Sequence, residues 1–321
     1  MPDPTPRPAG SSGLSKEIPM SAEQFRKLRD IIYQRAGITF TESKKYVLES
    51  RLCRRLQELE IDDYDQYIAF LSTGPYQGDE FNELFNKITI NETSFFRNPP
   101  QLDAFEKETL AGLLAARASH KRLRVWSAAC SSGEEPYTLA MQVHRTLGLR
   151  LGDWKIEILG TDISERVLEI AQGGRYTDYA MRGLPPLVQQ RYFRKDGHEW
   201  VIDPAVAALV RFEELNLKDR LAIKRLGQFD VIFCRNVMIY FDDPMRKQLV
   251  SMFHEALAAD GTLYIGHSET LRDLGVPFAQ VGPATAFSYR KLARAGSGEA
   301  PLGAGTAPGA PTPARPGSKA A

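Results

Sequence analysis

The chain of 321 residues has few of the features that mark a metal, redox or disulfide protein. Its three cysteines, Cys53, Cys130 and Cys234, are too few and too scattered for a disulfide framework or a zinc site. The five histidines, His120, His144, His198, His254 and His267, show no metal-ligand spacing, so no metal is expected. There is almost no net charge: 41 Lys+Arg against 40 Asp+Glu leaves +1. A general polyanion binder needs a clear basic excess, so no nucleic-acid partner is expected. No apolar run approaches the roughly 18–20 residues that cross a bilayer, so no membrane insertion is expected. The first twenty residues hold Pro2, Pro4, Pro6 and Pro8 and no apolar stretch of the secretory kind, which makes a cytoplasmic location the expectation. A full G-x-G-x-x-G fingerprint is also missing.

What is present reads as an ordinary globular protein, 43% hydrophobic and 25% charged, with length enough for two domains. Residues 1–19 are rich in Pro and Ser. Residues 295–321 hold five Pro and six Gly among 27 residues and no aromatic. Both are expected to be disordered tails, because such composition buries too little apolar surface to offset chain entropy. Residues 20–90 read as helices. Ser21 is a plausible N-cap, Phe25, Leu28, Ile31 and Ile32 share a helical face, and Gly37 ends the helix. A second helix over 41–59 turns Val47, Leu48, Leu52, Leu56 and Leu59 inward, and short helices follow over 62–71 and 80–88. Beyond residue 120 strands and helices alternate: strands over 123–128, 154–160, 229–234, 262–266 and 285–291, and helices over 135–147, 165–172 and 245–259. That pattern predicts an α/β fold with a mostly parallel, doubly wound sheet. Gly197, flanked by His198 to Val201, suggests a small hairpin insertion within 173–215.

Five segments carry candidate chemistry. The strand 123–128 runs into Ala129, Cys130, Ser131, Ser132 and Gly133, then into a helix with Pro136 in its first turn. Small residues let backbone approach a ligand, and ligands of parallel sheets sit at strand carboxyl ends. A tight strand–helix turn without a ligand has the same look. The strand ending in Asp162 offers a carboxylate to ribose hydroxyls, although an Asp there also caps helices. Together the two segments imply a nucleoside-containing cofactor and leave dinucleotide and S-adenosylmethionine both open. The third is Phe229 to Phe241, a strand that ends in Arg235 and Asn236 before Tyr240 and Phe241. The fourth is Asn91 to Pro100, at the join of the helical and α/β regions, where Pro99 and Pro100 are expected to stop regular structure. Domain joins favour ligands, but Phe95 and Phe96 equally suit a linker that anchors two domains. The fifth is basic: Lys44, Lys45, Arg51, Arg54 and Arg55 stand against Glu49 alone. Arg51 and Arg55 are four residues apart and so share a helix face; most charge runs are solvated surface, and some bind partners.

Taken jointly, these segments strongly resemble the chemotaxis-receptor glutamate O-methyltransferase family, CheR. The matching stretches are NETSFFRNP (91–99), RVWSAACSSGEEPY (124–137), LGTDIS (159–164), NL (216–217), FDVIFCRNVMIYFD (229–242) and GTLYIGHSE (261–269). The resemblance implies an all-α N-terminal domain over 20–90. It implies an S-adenosylmethionine-dependent, Rossmann-like methyltransferase domain over 91–294, with a small β-subdomain inserted near 173–215. It implies methyl transfer to glutamate side chains in the cytoplasmic helices of membrane chemoreceptors, with S-adenosylhomocysteine as product. By the same resemblance the cofactor contacts fall on Asn91, Thr93, Arg97, Glu135, Asp162, Asn216, Leu217, Arg235 and Asn236. Arg97 and Tyr240 lie nearest the transferred methyl, and Arg51, Arg54 and Arg55 face the receptor. Some family members tether a receptor's C-terminal peptide on the β-subdomain; the segment 194–199 is short for that, so no tether is expected. The protein is expected to act as a monomer. A glutamate carboxylate, with a reference pKa of about 4.3, is ionised at neutral pH. Its methylation needs no general base, which suits a chain without an obvious catalytic dyad. A nicotinamide-dependent oxidoreductase and a non-catalytic scaffold are the competing readings; the missing glycine fingerprint opposes the first, and retention of Asn91, Arg97, Asp162, Asn236 and Tyr240 the second.

Overall fold

The structure is a computed structural model that describes residues 18–73 and 77–293. The expected tails, apart from Ile18 and Pro19, lie outside the described residues. Four helices form the N-terminal unit: α1 (Ala22–Ala36), α2 (Lys45–Glu58), α3 (Tyr64–Thr73) and α4 (Gln77–Ile88). Ser21 and Gln24 make a reciprocal capping box at the start of α1, and Gly37 closes it in the left-handed conformation at φ 72°. A Cβ on Gly37 would stand 2.8 Å from Met245 Sδ, so close approach as well as φ requires glycine there. Phe25, Leu28, Ile32, Leu48, Leu52, Leu56, Tyr64 and Tyr67 are fully buried in one cluster. Ile18 and Met20 join that cluster, so Ile18, placed in the expected tail, is packed.

The chain then forms α5 (Pro99–Ala104), a π-helical stretch Phe105–Leu110 and α6 (Ala111–Ala116). Pro99 and Pro100 therefore begin a helix where they were expected to stop structure. Proline costs little in a first turn, where its missing N–H has no helical partner anyway. Next come β1 (Arg122–Ala128), α7 (Glu134–Leu147), β2 (Lys155–Asp162) and α8 (Glu165–Gly173). A small three-stranded sheet follows, from β3 (Arg175–Thr177), β4 (Phe193–Asp196) and β5 (Glu199–Ile202), with α9 (Pro186–Tyr192) between β3 and β4. After α10 (Pro204–Ala207) the chain returns through β6 (Val210–Glu214), α11 (Arg220–Arg225), β7 (Phe229–Cys234), α12 (Asp243–Ala256), β8 (Leu257–Ile265), β9 (Phe278–Val281) and β10 (Ser288–Lys291).

The main sheet has the order β6-β2-β1-β7-β8-β10-β9. The first five strands are parallel, and β10 and β9 add antiparallel at the far edge. The inserted subdomain ends before β6, because 210–214 pairs with β2 in the main sheet. Strand order reverses between β1 and β7, which places the ligand crevice at their carboxyl ends. The helical unit closes over that crevice. Lys218 Nζ donates to the Tyr33 carbonyl (2.9 Å) and the Gln34 carbonyl (2.5 Å) at the end of α1. Thr39 donates to the Tyr240 carbonyl from both its N–H and its hydroxyl, each at 2.9 Å.

Candidate active site

A cavity of about 440 Å³ lies between the helical unit and the ends of β1, β2 and β7. That volume suits a nucleoside-sized ligand. After β1 the chain turns sharply through Ala129 and Ser131, both at positive φ (59° and 51°), and Gly133 at 91°. A Cβ on Gly133 would meet the Ala171 Cβ at 2.8 Å, so the turn can pack on α8 only with glycine. The turn brings the Ser131 N–H to Asp162 Oδ2 at 2.9 Å, while the Ser164 N–H reaches Oδ1 at 3.0 Å. Burial pushes the Asp162 carboxyl up, and these backbone N–H bonds oppose the shift. Each oxygen keeps a further lone pair for a ligand hydroxyl.

Across the cavity stands a buried ion pair. Arg235 Nη1 donates to Glu135 Oε2 at 3.0 Å, and Glu135 Oε1 accepts from the Ser127 hydroxyl at 2.6 Å. Arg235 Nη2 donates to the Arg97 carbonyl at 2.7 Å, which ties β7 to the segment between the two domains. Arg235 Nε is buried in the cavity wall without a partner. An orphaned guanidinium N–H there fits a ligand that brings an acceptor, as an amino-acid carboxylate does.

Tyr240 also lines the cavity and is half-buried. Burial pushes its hydroxyl up, while the Arg51 and Arg97 charges pull the other way. It therefore stays protonated at neutral pH and keeps an O–H to donate. Arg97 Nη1 holds the Glu92 carbonyl at 3.1 Å, and Arg51 donates to the Ile88 carbonyl.

Asn91, Thr93, Arg97, Glu135, Asp162, Asn216, Leu217, Arg235 and Asn236 all line this one cavity, together with Tyr240. Asn216 also spans the domains: its amide donates to the Arg35 carbonyl at 2.7 Å. The three arginines of α2 part company. Arg51 lines the cavity mouth. Arg54 is 84% exposed beside Glu58. Arg55 turns inward and grips Glu80, with Nη2 to Oε2 at 2.6 Å and Nε to Oε1 at 3.2 Å. Tyr67 adds a 2.7 Å bond to the same carboxylate. Glu80 is almost fully buried, so loss of Arg55 would strand its charge. Arg55→Ala should destabilise the fold by about 3 kcal/mol. Arg54→Ala should cost less than about 0.5 kcal/mol. Urea melts of the two variants check this; equal midpoints would refute a structural role for Arg55.

Reading of the sequence passed over Thr39 and gave no role of their own to Ser131 and Glu269, although both lie in stretches it singled out. Ser131 holds Asp162 through its N–H and the Asn91 carbonyl through its hydroxyl at 2.9 Å; its signal was its place among small residues after a strand. Thr39 and Glu269 act across 201 and about 30 residues of chain respectively, and no local pattern announces that. Among the described residues no group of three or more His, Cys, Asp or Glu is arranged to hold a metal. Nor is any helix among them long and apolar enough to cross a membrane.

Comparison with known proteins places the chain in a family. The all-alpha domain of CheR methyltransferases matches residues 23–89, and the SAM-binding domain of CheR methyltransferases matches residues 91–286. "Chemotaxis protein methyltransferase 2" of Vibrio cholerae is 37% identical over 257 residues, covering 79% of this chain and 88% of that protein. "Chemotaxis protein methyltransferase" of Escherichia coli is 38% identical over 275 residues, covering 83% and 92%.

Proposed function

The chain belongs to the CheR methyltransferase family, and from that premise we propose how its residues serve an S-adenosylmethionine-dependent methyl transfer to glutamate side chains of chemoreceptors. The single observation that carries the reading is one cavity holding a backbone-clamped Asp162 at one side and the buried Arg235–Glu135 pair at the other. Bound S-adenosylmethionine would supply an electrophilic methyl on a positively charged sulfur. Asp162 accepts the ribose hydroxyls. Glu135 and Arg235 take the charged ends of the amino-acid portion, with Arg235 Nε completing its bonds on the ligand carboxylate. Asn91, Thr93, Asn216, Leu217 and Asn236 complete the walls.

The acceptor carboxylate arrives already ionised and needs no base; no histidine lines the cavity. What it needs is compensation for the water it sheds and alignment with the methyl. Arg97 supplies the positive charge and Tyr240 the donor O–H. Arg51 and Lys44, at the cavity mouth, and Arg54, on the outer face of α2, favour an acidic helix as the approaching partner. The protein acts as a monomer on the cytoplasmic side of the membrane. The β4–β5 connection is a tight turn at Gly197 and His198, too short to add a peptide-binding arm, and the reading assigns it no tether.

The test uses methyl-labelled S-adenosylmethionine and receptor-containing membranes, followed by mild base. Carboxyl methyl esters release labelled methanol under these conditions, whereas N-methyl and S-methyl groups do not. Volatile label is expected with the intact protein and not with Asp162→Ala. Label that resists base would overturn the carboxylate acceptor.

A further inference from the structure

Glu269 has no part in the reading above, yet it is only 8% exposed and its carboxylate accepts four backbone N–H bonds. Oε2 takes the N–H of Asn236 (3.1 Å) and of Gly266 (2.5 Å). Oε1 takes those of Val237 (3.0 Å) and Met238 (2.8 Å). Three of the four donors are consecutive residues just beyond β7. Asn236 is left-handed at φ 61°, and Val237 returns to the right-handed region at φ −119°, ψ −35°. Alternation of this kind turns successive N–H groups to one side and makes a concave anion nest. Nests usually hold phosphates or other ions; this one is filled by a carboxylate of the chain itself. The segment so gathered follows Arg235 directly, includes Asn236 and leads into Tyr240, all three in the cavity wall.

We propose that Glu269 is a positioning residue, a built-in anion that holds the Asn236–Met238 nest and thereby aims Arg235, Asn236 and Tyr240 into the cavity. The proposal rests on the reading of that cavity as the cofactor site. Left-handed Asn236 is strained for a residue with a Cβ, and three converging N–H groups repel one another without an acceptor between them. The chemistry also demands glutamate over glutamine. Both oxygens accept two N–H groups each, so an amide would set its own NH₂ against two of them. Burial pushes the Glu269 carboxyl up, and the four backbone N–H bonds oppose that shift. Gly266 belongs to the same device. A Cβ there would stand 2.7 Å from Glu269 Oε2 and 2.9 Å from the Asn236 nitrogen, wedging the clamp open without removing its charge.

The test compares Glu269→Gln and Gly266→Ala with wild type and with Ser268→Ala, an exposed neighbour, in the full chain. Three quantities are read: amide hydrogen exchange at 236–238 without ligand, S-adenosylhomocysteine affinity, and kcat separately from KM. Both variants should retain the wild-type unfolding midpoint within a few degrees and lose exchange protection at 236–238. Affinity for S-adenosylhomocysteine should fall roughly thirtyfold, as expected when about two buried hydrogen bonds are lost, with a further fall in kcat. Ser268→Ala should match wild type. A folded Glu269→Gln or Gly266→Ala with protected amides and affinity within twofold of wild type overturns the proposal. So does failure of both variants to fold, which would make Glu269 a support of the whole domain. The exchange readout needs no cofactor. Open amides with no ligand binding by wild type would leave the clamp standing and strike the cofactor reading instead.

Discussion

Asp162→Ala should lower affinity for S-adenosylhomocysteine by roughly a hundredfold to a thousandfold while the chain stays folded. The carboxylate joins the turn after β1 through the Ser131 N–H to the start of α8 through the Ser164 N–H, and on the proposed reading it also takes the ribose. Alanine removes the ligand's acceptor and leaves both N–H groups facing a gap, so the turn that lines the cavity loses its anchor. Global stability should change less. The carboxyl is buried deeply enough that burial pushes it up, and removing the charge returns desolvation free energy that offsets the two lost bonds. Asp162→Asn should fall between, because its amide accepts from one N–H and opposes the other. Calorimetric titration gives the affinity. Thermal unfolding with and without S-adenosylhomocysteine gives an independent check, since ligand stabilises only a form that binds it. Affinity within threefold of wild type would exclude Asp162 from the cofactor site.

Asp162 was legible because the run Ile158–Leu159–Gly160–Thr161 is apolar or small up to its end, which sets the carboxylate at the ligand edge of the sheet. Arg235 and Asn236 were legible in the same way, as polar residues closing the fully buried β7. Strand β6 was not. Its residues Val210–Glu214 are half-buried or exposed, because an edge strand covers the sheet with one side only and offers no hydrophobic run to read. The helix from Pro99 was lost to the opposite error, in which proline was weighed as a breaker and its suitability for a first turn was overlooked. The arginines of α2 show a third limit. Arg51, Arg54 and Arg55 lie within five positions on one helix, yet one lines the cavity mouth, one is in solvent and one neutralises Glu80. Only the position of α4 decides that, and a helix face in isolation does not contain it.

The same dependence explains why the helical unit is more than a docking surface. Its α1–α2 connection donates twice to the Tyr240 carbonyl, and the end of α1 accepts from Asn216 and Lys218. Two walls of the cavity are thus held by the domain expected to meet the receptor. A receptor that shifts this domain would also shift Tyr240, which makes acceptor binding and site geometry two readings of one contact.

Loss of the Arg97 guanidinium should lower kcat by about a hundredfold, the scale expected when a group that aligns the reacting atoms is removed. Arg97→Ala isolates the side chain cleanly. The carbonyl of residue 97 survives the substitution and still accepts from Arg235 Nη2, so the cofactor wall keeps its tie. What disappears is the bond to the Glu92 carbonyl and, on the proposed reading, the charge that holds an ionised acceptor in line with the methyl. Tyr240→Phe is the companion variant. The two bonds from Thr39 go to the Tyr240 backbone, so phenylalanine keeps the loop and loses only the hydroxyl. A hydrogen bond to an ionised carboxylate is worth about 1.5–3 kcal/mol, so kcat should fall roughly tenfold to a hundredfold. If both groups act on the same carboxylate, their effects should be less than additive in the double variant. S-adenosylhomocysteine affinity should drop by less than about tenfold in either single variant, which separates acceptor chemistry from cofactor binding. Single-turnover methyl transfer at saturating receptor measures the step directly. Unchanged turnover in both variants would remove Arg97 and Tyr240 from the reaction and leave alignment by the cavity as the whole of catalysis.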